Sequence, residues 1–120
     1  MKDIRLKELP FEFEGKTYML RCNMNVLADV QEAYEGNIYE ALAGGSTYKS
    51  LLHFLAAMLN DFADDMGWQE RWTAKQLGRK LKLGNLPKDE LMELITDGII
   101  PDGGESEEAA GDAEPAETGN

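Results

Sequence analysis

The sequence predicts a mainly α fold with a small β part: an N-terminal β-hairpin packed on about four helices, followed by a disordered acidic C-terminal tail. Three observations lead there. Charged and apolar residues alternate on either side of Gly15, several later stretches space their apolar residues at the helical period, and the composition changes abruptly at Pro101. A chain of 120 residues has room for a single domain. Residues 1–100 are assigned to it and residues 101–120 to the tail.

The hairpin comes first. Phe11-Glu-Phe-Glu14 alternates, Gly15-Lys16 intervenes, and Thr17-Tyr-Met-Leu-Arg-Cys22 follows. A two-residue turn with glycine in its first position suits type II′. That register pairs Glu14 with Thr17, Phe13 with Tyr18, Phe11 with Leu20 and Leu9 with Cys22, so the large apolar residues share one face. Moving the turn back one residue sets Phe13 opposite Lys16, a poorer match. A hairpin alone is marginal in water, so its apolar face must lie on the helices.

Asn23 or Asn25 can cap a first helix that runs to about Glu35 and stops at Gly36. Val26, Leu27, Val30, Ala33 and Tyr34 form its apolar face, with Asp29, Glu32 and Glu35 opposite. Asn37 to Ala43 forms a short helical turn before Gly44-Gly45. The strongest element spans about Tyr48 to Met66, capped by Ser46 or Thr47 and ended by Gly67. Its stripe is Leu51, Leu52, Leu55, Met58, Leu59, Phe62 and Met66, with Ser50, His53, Asn60, Asp61 and Asp64 on the other side. Thr73 starts a shorter helix, Ala74 to Leu81, and Gly84-Asn85 breaks the chain again. Pro87 suits the first turn of a last helix, whose face is Leu91, Met92, Leu94 and Ile95 and which Gly98 closes.

Beyond Pro101 there is no aromatic and no branched aliphatic residue. Such a segment cannot bury enough to offset its conformational entropy, which predicts disorder. Residues 102–120 hold seven acids and no base, whereas the first 101 residues hold 16 acids and 12 bases. Most of the net charge of −11 therefore sits in the tail. A mildly acidic body argues against nucleic acid as a partner. The N-terminus lacks the apolar run of a signal peptide, and no stretch approaches membrane-spanning length, which predicts a cytosolic protein without a membrane partner.

Little in the sequence points to catalysis. Cys22 is the one cysteine and His53 the one histidine. A disulfide within the chain, a cysteine-based zinc site and a nucleophilic triad are thereby excluded. Cys22 reads as a free buried thiol and His53 as a solvated or interfacial residue. Asp61, Asp64 and Asp65 precede Gly67, but an EF-hand with that glycine at its sixth position would put Phe62 at the first ligand position. These carboxylates are expected to solvate the helix. Gly44-Gly45-Ser46 precedes a helix without the lysine of a phosphate loop and reads as a linker. No enzyme activity, cofactor or metal is expected.

What remains is binding. Arg71, Lys75, Arg79, Lys80, Lys82 and Lys88 form the one basic stretch, either a solvated face or a dock for an acidic segment. Trp68 and Trp72 lie four apart beside it. On a helical turn they would face the same way and either close over the core or anchor a partner. Trp68, Arg71, Trp72, Lys75 and Arg79 are the candidate partner-binding residues. Met58, Met66 and Met92 could line an adaptable groove.

The opening Phe11-Glu-Phe-Glu-Gly-Lys-Thr-Tyr-Met-Leu-Arg21, the helix Val26–Tyr34 ending in Glu35-Gly36, the helix Leu51–Phe62 and the Trp72-Thr73-Ala74 helix start resemble one family. It is the tail assembly chaperones of long-tailed phages and prophages of Gram-positive bacteria. The resemblance covers roughly residues 8–97, and Ala74-Lys75-Gln76 stands where that family usually has acids after the threonine. It implies a non-catalytic protein of the bacterial host cytoplasm, with homo-oligomerisation possible. Its partners would be the tape-measure protein, which it keeps soluble, and the tail-tube protein, whose subunits it helps recruit. The alternatives are a structural component of the mature tail or head–tail joint, and an acidic decoy that inhibits a nucleic-acid-binding protein.

Overall fold

The structure, a computed structural model, describes residues 6–43 and 47–100. The expected tail disorder and the Gly44-Gly45-Ser46 linker lie outside these residues. The elements are β1 (Leu9–Phe13), β2 (Lys16–Leu20), α1 (Met24–Ala33), α2 (Ile38–Ala43), α3 (Tyr48–Met66), α4 (Ala74–Lys80), a 3-10 turn at Leu83–Asn85, and α5 (Lys88–Ile99). The expected fold class is the observed one: an N-terminal antiparallel hairpin on a set of helices.

The hairpin register differs from the expected one by two residues. Leu9 pairs with Leu20, Phe11 with Tyr18 and Phe13 with Lys16. The turn residues are Glu14 and Gly15, both left-handed at φ 52° and 77°. Two successive positive φ values make this a type I′ turn, whose twist matches that of the strands. Because side chains alternate with period two, a shift of two leaves every residue on its expected face. The supposed mismatch at Phe13 is resolved by length. Lys16 is half-buried and carries its ammonium out to Glu70 Oε1, at 2.6 Å, and over the Trp68 ring, at 5.4 Å from its centre.

Asn23 caps α1, its side chain accepting from the Val26 amide at 3.0 Å while its own amide donates to Asp61 at 2.7 Å. The helix ends at Ala33, two residues short of expectation, because Glu35 and Gly36 both take positive φ. Ala33 is consequently exposed, while Val26, Val30 and Tyr34 are buried.

The centre of the molecule is α3, capped by Thr47 and ended by left-handed Gly67. At 19 residues it is about 28 Å long. Its middle is buried without a break from Phe54 to Leu59. A helix buried all round needs neighbours on every side, and β2, α1, α4 and α5 all pack on it. This overturns parts of the one-stripe reading. Phe54 is in the core, and Ser50 is 2% exposed with its hydroxyl 2.9 Å from that of Tyr34. Met66, on the last turn, is exposed.

The expected break at Gly98 is also corrected, since α5 continues to Ile99. The glycine is required by packing. A methyl group there would lie 2.4 Å from the Cys22 carbonyl oxygen and 2.7 Å from its sulfur. Among the described residues no helix is long and apolar enough to cross a membrane.

Candidate protein-binding site

Gly67 turns the chain out of α3, and residues 68–73 run back along it without helical structure. The two tryptophans are therefore not on a shared helical turn. Asn60, from the middle of α3, holds the segment by both ends of its amide: it accepts from the Trp72 backbone N–H and donates to the Trp72 carbonyl, each at 2.8 Å. Trp68 meets Tyr18 and Phe62 edge-on at 5.3 and 5.6 Å. Trp72 meets Phe13 edge-on at 4.9 Å, and its indole N–H points to the Tyr18 hydroxyl at 3.3 Å. Both rings are half-buried and close the core between hairpin and α3.

The five candidate residues thus divide. Arg71 is engaged locally, donating to the Trp68 and Glu70 carbonyls at 2.8 and 2.7 Å and pairing with Asp64. Lys75 and Arg79 are exposed on α4 and, with Lys82, make no ion pair among the described residues. Lys80 reaches Glu14, at 3.7 Å, and the Trp72 ring. Lys75 and Arg79, four apart, lie on one side of α4, and Lys82 follows in the extended residues after the helix.

Between α3 and the residues after α4 lies a feature absent from the candidate set. Tyr48 and Leu52 of α3 face Leu81, Leu83 and Leu86 across a mostly apolar groove of about 170 Å³, with Gly78 of α4 at its edge. Lys82 lines it, and the Lys88 ammonium sits 5.6 Å from the Tyr48 ring centre. Leu83 is 70% exposed and Tyr48 49%. Thr73 starts α4 with a capping box, accepting from the Gln76 amide at 3.1 Å while the Gln76 side chain accepts from the Thr73 amide at 2.9 Å. The helix ends at Lys80, and the 3-10 turn carries Leu83 outward instead of continuing a buried face.

The remaining chemistry-bearing groups have structural partners. Asp61 accepts from Asn23, Asp65 pairs with Arg21 at 3.2 Å, and Asp64 with Arg71. The three carboxylates expected merely to solvate α3 thus tie it to its neighbours. Among the described residues no group of three or more His, Cys, Asp or Glu side chains is placed to hold a metal ion. His53 is half-buried against the Tyr34 ring at 5.3 Å. Burial, and secondarily the Lys49 charge, lower its pKa. Of the three methionines, Met58 is buried, Met92 half-buried and Met66 exposed, so they do not line one surface.

The groove had a signal in the sequence. Leu81, Leu83 and Leu86 follow a helix too short to present them on its own face, and Gly78 interrupts that helix where a turn is not needed. Periodicity ends the helix at Leu81 and assigns Leu83 and Leu86 to no element, so it does not reveal the groove wall. Comparison with known proteins finds no matching family, no similar curated protein and no similar solved structure.

Proposed function

We propose that the chain is a non-catalytic tail assembly chaperone of a long-tailed phage or prophage, which binds the helical tape-measure protein, keeps it soluble and helps recruit tail-tube subunits. The observation that carries the reading is the open apolar groove between α3 and Leu81–Leu86, with Lys82 in its lining and Lys88 at its Tyr48 end. A groove of this kind takes the apolar stripe of a helix, which is the surface an unassembled tape-measure protein would expose. The order of hairpin, capped helices and Trp72-Thr73 helix start, in which the sequence resembles that family, supports it further. Trp68 and Trp72 then serve the fold, closing the core between hairpin and α3, while Lys75 and Arg79 lie exposed on the helix that carries Gly78.

The test is co-expression with fragments of a tape-measure protein, which this reading expects to be encoded beside the gene. The expected result is that at least one fragment becomes soluble and co-purifies with the chain, while purified phage particles lack it. If no tape-measure fragment is ever solubilised, the reading is wrong. Retention of the chain in finished particles would favour a structural role instead.

A further inference from the structure

Gly78 and Gly98 both lie inside helices, where glycine costs roughly 1 kcal/mol relative to alanine. At Gly98 the packing explains that cost. At Gly78 nothing among the described residues does: an added methyl would find Leu52 Cδ1 at 3.5 Å, an ordinary contact. Its φ lies outside the positive range that favours glycine. What the missing side chain does is keep the groove over Leu52 open to solvent. We infer that Gly78 is the point of close approach for a helix of a separate protein, one whose leucine-like stripe fills the groove and whose flanks carry carboxylates.

Charge selects the occupant. Lys82 lines the groove and Lys88 stands at its Tyr48 end, while Lys75 and Arg79 lie exposed on the helix that carries Gly78. In a chain of net charge −11, these cations favour an acid-flanked helix over a base-flanked one. The chain's own residues 101–120 have the acids but no large apolar side chain, so they could meet the cations without filling the groove. The inference rests on the proposal that the chain binds a helical partner, and it adds where that partner sits and what chemistry it presents.

The experiment uses the full chain, isotope-labelled, and two designed helical peptides with the same leucine stripe and either glutamate or lysine flanks. The glutamate peptide should shift the amide resonances of Gly78, Lys82 and Leu83, and should bind about tenfold more tightly than the lysine peptide at low salt, a gap that narrows as salt is added. Gly78→Leu fills the groove from within and should weaken binding about tenfold or more, with the melting temperature kept or raised. Leu83→Ser, at an exposed position, provides a second folded variant and should weaken binding likewise.

Equal binding of the two peptides, or wild-type binding by both folded variants, would overturn the inference. So would a peptide of residues 101–120 that binds the same amides as tightly, or a dimer whose dissociation on dilution shifts them. If Gly78→Leu and Leu83→Ser both keep a tape-measure fragment soluble, the groove is not the site although the chaperone reading survives. If the glutamate peptide binds as described but no tape-measure fragment is solubilised, the groove stands and the chaperone reading falls.

Discussion

A methyl group at Gly98 would collide first with a backbone atom, the Cys22 carbonyl oxygen, which cannot rotate away. Gly98→Ala should therefore cost about 1–3 kcal/mol, the usual range for overpacking, and Cys22→Ala should not rescue it. Gly78→Ala should do the opposite and stabilise by up to about 1 kcal/mol. Denaturant midpoints of the two variants against wild type decide both signs. Cys22 supplies a further test. Burial, with Asp97 adding, pushes its thiol up to about 12 from 9.0. The unfolded chain therefore loses this proton first as pH rises, so the contribution is intact below about pH 9 and is lost as pH climbs toward the native value. The slope is up to about 1.4 kcal/mol per pH unit for one group. Urea midpoints followed upward from neutral pH should fall less steeply in Cys22→Ala, and a thiol reagent should label native wild type far more slowly than unfolded chain.

Asn60 joins α3 to the segment that follows it. Its amide satisfies both backbone groups of half-buried Trp72, so Asn60→Ala leaves a donor and an acceptor without these partners. A loss of about 1–3 kcal/mol is expected, read as a lower urea midpoint together with a change in tryptophan fluorescence. The elements themselves were largely legible in the sequence. Caps of the right type stood at Asn23, Thr47 and Thr73, and α3 ran between the expected residues, Tyr48 and Met66. What escaped was set by neighbours distant in the chain. Ser50 and Asn60 look solvated by periodicity, yet one is buried under Tyr34 and the other clamps Trp72. The hairpin register turned on whether glutamate could adopt positive φ at position 14, which β-pairing preferences do not reveal. The groove was missed because its far wall belongs to no regular element long enough to show a period.

For the molecule as a whole, α3 is the shared support. β2, α1, α4 and α5 each pack on it, and the other principal contacts are within the hairpin and between α1 and α2. Native-state amide exchange should follow this plan, slowest in α3 between Phe54 and Leu59 and faster from α4 through Leu86. Uniform protection across both regions would show that the outer elements open only with the whole fold. The arrangement also has a mechanical side. One wall of the groove, Tyr48 and Leu52, belongs to the support, and the other to a short span strung between α4 and α5. If the exchange experiment finds that span opening ahead of α3, it moves as a latch on a fixed frame. An occupant lodged between latch and frame would hold it shut, slowing exchange there before any change reached the middle of α3.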